Sequence, residues 1–236
     1  MIRAALCAAL ALAPLAQARA EEPSLSQVLK RALDAYGGLQ TLQRRNARVE
    51  EGRVTPATQG GQSGRLSRTF ERPRRLRVEI AYPGEEAEVR VLDGARGWRN
   101  GIEVSGTIKW AAMALQAARM DLPRLLAEER LRLVDGGTVK RDGKRLRAVT
   151  LPLGEGMILT AEIDPKTGRI LRSSGKMDAG PGMALEFATL YSDFRRVDGV
   201  LVPFREANYA GGQRTGDTVL RTVEVLRDAP QGSFRP

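Results

Sequence analysis

The fold turns on residues 107–129, TIKWAAMALQAARMDLPRLLAEE. From Trp110 to Ala118 every position except Gln116 is apolar, and neither Pro nor Gly interrupts the run. Its Ala, Met and Leu residues are good helix formers. A helix that is apolar nearly all round cannot leave one face in water, so it must be covered on several sides. Asp121 reads as the cap of a second short helix, with Pro123 in a first turn where its missing N–H costs nothing. That helix offers Leu122, Leu125 and Leu126 to whatever lies beneath it.

Outward from this pair the period changes to two. Residues 74–82 alternate, with Leu76, Val78, Ile80 and Tyr82 pointing inward and Arg75, Arg77 and Glu79 outward. Ala87, Val89 and Val91 continue the inward set, and Leu66 and Phe70 share a face upstream. Asp93-Gly94 and Asn100-Gly101 are tight-turn dipeptides. Past the helices, strands over 146–153, 157–163, 185–195, 200–209 and 218–227 are separated by further turn signals. These are Asp135-Gly136, Asp142-Gly143, Gly154 with Gly156, the DPKTG run 164–168, residues 180–182, Asp198-Gly199 and Gly211-Gly212. Connections this short join antiparallel neighbours, because a parallel crossover needs a dozen or more residues. A large antiparallel meander must curl, and an incomplete barrel whose open side is filled by helices is the economical solution. The expected class is α+β, mainly β: a curved antiparallel sheet with helices as lid or plug.

The N-terminus has a different composition. A basic start at Arg3, an apolar run from Ala4 to Ala16 and the A-x-A pattern Ala18-Arg19-Ala20 describe a secretory signal peptide over residues 1–20. Residues 21–236 are then expected to form one domain, long enough for a substantial core. Cys7, the only cysteine, falls in the leader, so the mature protein is expected to have no disulfide in an oxidising compartment. A first helix is expected from Ser24, with Gln27 completing a capping box and Gly37-Gly38 stopping it. Taking Arg3 and Arg19 from the 38 basic residues, against 28 acidic ones, leaves a net charge of about +8. Such a charge favours anionic partners, and in an envelope compartment the abundant anion is the lipid headgroup. The basic residues alternate along strands and do not gather on one helix, which argues against a nucleic-acid reader.

The chemical inventory is narrow. Histidine is absent, and cysteine is gone once the leader is removed. That removes His-based acid–base catalysis, thiol chemistry and most zinc or copper sites. No G-x-S-x-G elbow, phosphate-binding loop or dinucleotide fingerprint occurs. Glu85-Glu86 and Glu128-Glu129 are adjacent, so on a strand or a helix neither pair converges. Asp164 reads as a turn residue. The chain supplies an apolar interior with adaptable Met113 and Met120, and with Trp98 and Trp110 on either side of the strand-to-helix transition.

Residues 64–100, GRLSRTFERPRRLRVEIAYPGEEAEVRVLDGARGWRN, resemble the periplasmic outer-membrane lipoprotein carriers, the LolA-like family. Arg72-Pro73, the alternating strand behind it, the tyrosine-proline break at Pro83, Asp93-Gly94 and Trp98 fall in that family's order. The resemblance extends loosely over the helical pair, the DPKTG turn and the C-terminal TVEVLRDAPQGSFRP. The helix end at Tyr36-Gly37-Gly38 and the YSDFRRVDGVLVP hairpin look like divergent members. The resemblance implies a cavity between half-barrel and lid that takes the acyl chains of a lipoprotein or lipid. It also implies that Arg72 locks the lid by hydrogen bonding to carbonyls of the helical region.

The sequence therefore predicts a monomeric, non-enzymatic periplasmic carrier that takes part in lipoprotein sorting. It touches anionic membranes or membrane-bound partners transiently and needs no metal or other cofactor. The expected ligand-binding set is Leu76, Val78, Ile80, Trp98, Trp110, Met113, Leu115, Met120, Leu122 and Leu126. Two alternatives stand beside it: a sensing module on the same fold, and a hydrolase using carboxylates alone.

Overall fold

A computed structural model describes residues 22–57, 61–180 and 183–236; the expected leader and residues 181–182 of the expected 180–182 turn lie outside these. In chain order the elements are α1 (Leu25–Ala35), α2 (Gly38–Gln43), β1 (Ala47–Pro56), β2 (Gly64–Glu71), β3 (Arg75–Ala81), β4 (Glu88–Asp93), β5 (Arg96–Arg99) and β6 (Ile102–Glu103). Then come α3 (Ile108–Met120) and α4 (Leu122–Glu128). They are followed by β7 (Val134–Arg141), β8 (Lys144–Gly154), β9 (Met157–Ile163), β10 (Ile170–Asp178), β11 (Ala184–Val197), β12 (Val200–Ala210) and β13 (Gln213–Leu226).

All thirteen described strands belong to one antiparallel sheet, ordered β6-β5-β4-β3-β2-β1-β13-β12-β11-β10-β9-β8-β7. The chain walks outward from β1 to the β6 edge, crosses to the β7 edge, and walks back until β13 pairs with β1. The sheet is an unclosed barrel, and α3 and α4 make the crossing between its two free edges. That connectivity is why α3 packs against β3, β4 and β5 on one arm and β9 and β10 on the other.

Helix α3 extends two residues beyond the apolar run at each end, with the Thr107 hydroxyl accepting from the Trp110 N–H as its cap. No residue from Trp110 to Met120 is exposed. The Ser24 capping box with Gln27 is present at α1. Asp121 separates α3 from α4, but its side chain caps neither helix. Helix α2, a single short segment after Gly37, has no periodic signal in the sequence.

Local chemistry explains the turns. Asn100, Asp142 and Asp198 adopt positive φ (50°, 47° and 47°) immediately before a glycine, as tight hairpins require. In the DPKTG turn Asp164 accepts from the Lys166 N–H at 2.9 Å and the Thr167 hydroxyl at 2.7 Å. Gly168 there presses on α1: a Cβ at that position would stand 2.3 Å from the Arg31 carbonyl oxygen.

Two expectations are corrected. Asp135-Gly136 is no turn. It lies within β7, where the register shifts between Asp135 and Thr138 and Asp135 accepts from the Gly137 N–H. A bulge on an edge strand uses the same residue types as a turn. On β4 the inward set is Glu88, Arg90 and Leu92, opposite Ile80, Val78 and Leu76, so Val89 and Val91 face outward. Val91 is buried nonetheless. The C-terminal tail folds over that outer face, where Phe234 lies 4.4 Å from the Arg75 guanidinium and Arg77 donates to the Arg235 carbonyl.

Candidate ligand cavity

Between α3 and the sheet a cavity of about 270 Å³ remains. Helix α3 lines it with Ala112, Leu115, Gln116 and Arg119, one stripe at i, i+3, i+4 and i+7. The sheet gives an apolar wall that includes Val54, Leu66, Val78, Ile80, Leu159 and Phe187. Arg68, Arg90, Glu206, Asn208 and Thr218 supply polar groups. The void lies toward the end of the sheet where the β12–β13 hairpin turns and away from α1, α2 and α4. A broader groove of about 810 Å³ runs along β1, β2, β3 and β13, where Glu51, Arg53 and Arg221 border it. Its walls are mostly outward-facing residues of the sheet, among them Glu51, Arg53, Arg65, Glu79 and Arg221, so the interior cavity beneath α3 is the better binding candidate.

The height of α3 above the sheet is set by two glycines. A Cβ on Gly97 of β5 would come within 2.9 Å of both Met113 Cε and Trp110 Cδ1, and one on Gly175 of β10 within 3.0 Å of the Leu115 methyls. Met113 and Trp110 therefore seat the helix on one arm, and Leu115 seats it on the other. These contacts bring the helix down firmly at two places and leave the volume between them unfilled.

The polar side of the cavity is an ion network. Arg68, 2% exposed, sits between Leu66 and Phe70 on the inward face of β2. It donates through Nε to Glu50 and through both terminal nitrogens to Glu206, at 2.8 and 3.2 Å. Glu50 also meets Arg48 at 2.6 Å. Arg119 donates to the Thr189 hydroxyl and lies 3.9 Å from Glu206. Burial pushes the Glu206 carboxyl up, but Arg68 and Arg119 more than reverse this and hold it at about 2. Burial lowers the Arg68 pKa, and Glu206 and Glu50 more than restore it. Arg90 differs. Burial lowers its pKa, and Glu88 does not compensate because Arg99 and Arg68 oppose it.

Just past the C-terminal end of α3 the helical pair is tied to the sheet by Arg72. Its Nε donates to Asp121 at 2.5 Å and a terminal nitrogen to Glu128 at 2.7 Å. The partners are side-chain carboxylates of the helical region, where the resemblance implied carbonyls. Burial raises the Asp121 carboxyl to about 6 against the pull of Arg72. Glu128, more exposed, is lowered on balance: burial raises it, and Arg124 and Arg72 outweigh that. Arg124 adds a tie from α4 to the Leu42 carbonyl and to Asn46.

The sequence-predicted residues divide among several places. Val78, Ile80 and Leu115 line the 270 Å³ cavity. Leu76, Trp110, Met113 and Leu126 are packed in the hydrophobic core and do not line it. Met120 and Leu122 border a separate void of about 80 Å³ beneath α4 and α2. Trp98 lies elsewhere: it alternates with inward-facing Gly97, pairs with Val91 on the outer face and stacks on Arg96 at 4.7 Å. Strand alternation therefore keeps it out of the interior. Arg68, Arg90, Arg119 and Glu206 are site residues that sequence reasoning passed over. The signal for Arg68 was present, since an arginine two residues from Leu66 and two from Phe70 must share their face. Among the described residues no group of acidic side chains is arranged to hold a metal ion.

No family model matches the sequence, and a search of curated proteins gave no match. Solved structures do match. A LolA superfamily protein from Nitrosomonas europaea is 11% identical, with 89% of this chain and 97% of that one covered and a TM-score of 0.57. A DUF1329 family protein from Desulfovibrio piger is 10% identical over 89% and 97% of the two chains, with a TM-score of 0.52. At these identities the likeness is one of fold: the chain has the LolA-like architecture of an open barrel with helices across its mouth.

Proposed function

We propose that this protein is a periplasmic carrier that holds an acyl chain of a lipid or lipoprotein between α3 and the half-barrel. The observation that supports it most is the cavity itself. A nearly all-apolar helix spans the mouth of a sheet, rests on two glycines, and still leaves about 270 Å³ beside Val78, Ile80 and Leu115. Each methylene moved from water into such a space is worth about 0.8 kcal/mol, so a chain is held without directional contacts. The LolA-like fold, the leader read over residues 1–20 and the basic surface agree with delivery between membranes. Among the described residues no helix is long and apolar enough to cross a membrane. In this reading residues 21–236 act as one monomeric domain and carry out no chemistry, and the Arg72 ties to Asp121 and Glu128 hold α4 against the sheet.

The test is extraction of the purified protein with organic solvent followed by mass spectrometry, together with displacement of a fluorescent fatty acid. The proposal expects a co-purifying acyl species at close to one per chain, and saturable displacement. Empty extracts combined with no fluorescent binding would refute it.

A further inference from the structure

The cavity is more cationic than an acyl chain alone requires. Glu50, Arg68, Val78 and Arg90 form one row across the inward faces of β1 to β4, each opposite the next in register. Arg99 continues the row on β5, opposite Arg90. Arg119 enters from α3, with Gln116 one turn before it on the same stripe. The arginines that line the cavity are Arg68, Arg90 and Arg119, with Glu206 among them and with Glu50 and Glu88 paired to Arg68 and Arg90.

Glu50 is ion-paired with Arg48 and Arg68, and Glu206 with Arg68 and Arg119. Glu88 is shared between Arg90 at 3.2 Å and Arg99 at 3.1 Å. One carboxylate thus serves two guanidiniums, and the Arg90 Nε is buried without a properly aligned acceptor. Leaving a cation partly desolvated and under-compensated is unfavourable unless something else supplies the negative charge.

Resting on the carrier reading above, we propose that the ligand is a single-chain amphiphile with an anionic head, seated with that head between Arg90 and Arg119 and its chain along Val78, Ile80, Leu66 and Phe187. The volume points to one chain, because about 270 Å³ falls just below the ~300–1,000 Å³ typical of pockets for drug-sized ligands. Guanidinium groups recognise carboxylate and phosphate alike, with charge-assisted bonds stronger than neutral ones. The head is therefore a fatty-acid carboxylate or the phosphate of a single-chain lipid.

The experiment is a set of titrations on the full mature chain at pH 8 and low salt with palmitate, hexadecyl phosphate and hexadecanol, which share one chain and differ in head. One or both anions should bind at least tenfold more tightly than the alcohol, and the tighter anion identifies the head. In Arg90→Gln, which breaks no fully buried ion pair, that preference should fall several-fold while hexadecanol affinity holds. Arg119→Gln supplies a second, independent variant. Equal affinity for all three amphiphiles, or an anion preference undiminished in both variants, overturns this assignment and leaves the carrier reading intact. Failure of all three to bind removes both.

Discussion

Replacing Arg68 by methionine isolates the network on which the cavity floor is built. Arg68 is 2% exposed and Glu50 1%, and Glu206 is buried beside them, so the substitution leaves two carboxylates without their central cation. Removing one partner of a buried ion group costs about 3–5 kcal/mol. For a chain of this size each kcal/mol moves Tm by about 2–4 °C, so Arg68→Met should melt about 6–20 °C below the parent. Arg65→Met is the control on the same strand, because Arg65 is exposed and faces outward; it should stay within about 0.5 kcal/mol. Adding Glu206→Gln to Arg68→Met should recover part of the loss by removing one stranded charge. Thermal melts by circular dichroism, paired with urea titrations, read all three. A loss below about 1 kcal/mol in Arg68→Met, or a loss equal to that of Arg65→Met, would refute the reasoning.

Other outcomes follow from the same contacts. Gly168→Ala places a methyl against the Arg31 carbonyl at a φ of +73°, and should cost about 2–5 kcal/mol in urea unfolding; a change under 1 kcal/mol would show that the turn does not dock on α1. Arg72→Ala removes both ties to the helical pair, so amide hydrogens of residues 121–128 should exchange faster while those of β9 and β10 hold; unchanged exchange over 121–128 would show that Arg72 does not restrain α4. Asp121 is raised to about 6 in the folded chain, so the fold binds its proton more tightly than the unfolded state, and this group's contribution to stability falls as pH rises from about 4 to 6. Glu206 has the opposite sign: held at about 2, it stabilises above about 4.5 and loses that contribution as pH falls toward 2. The difference between the Tm–pH curves of the parent and Asp121→Asn should show the first slope between pH 4 and 6; parallel curves would contradict it.

Much of the architecture is legible in residue order because two periods carry it. The run from Trp110 to Ala118 announces a helix covered on all sides, and the alternation of Leu76, Val78 and Ile80 fixes the inward face of β3. Short Asn-Gly and Asp-Gly connections make the strands antiparallel neighbours. What escapes is whatever depends on the register between strands. Val91 reads as inward from its hydrophobicity, yet β3–β4 pairing turns Arg90 inward and leaves Val91 buried on the outer face, between Arg77 and Trp98. Trp98 is drawn to the exterior because Gly97 is needed beneath α3. The ion network was half visible. Arg68 betrays itself by its neighbours on β2 and meets Glu50 across the β1–β2 pair, but Glu206 lies on β12, and only the pairing of β1 with β13 brings it in.

The most direct test fills the space beside α3. Ala112 faces the cavity, and Ala112→Phe adds about six carbons there, equivalent to about six methylenes of a bound chain at roughly 0.8 kcal/mol each. Binding of a fluorescent fatty acid to the variant is predicted to weaken by about a thousandfold or more, with circular dichroism unchanged. A folded Ala112→Phe variant that binds the probe as tightly as the parent would contradict the account.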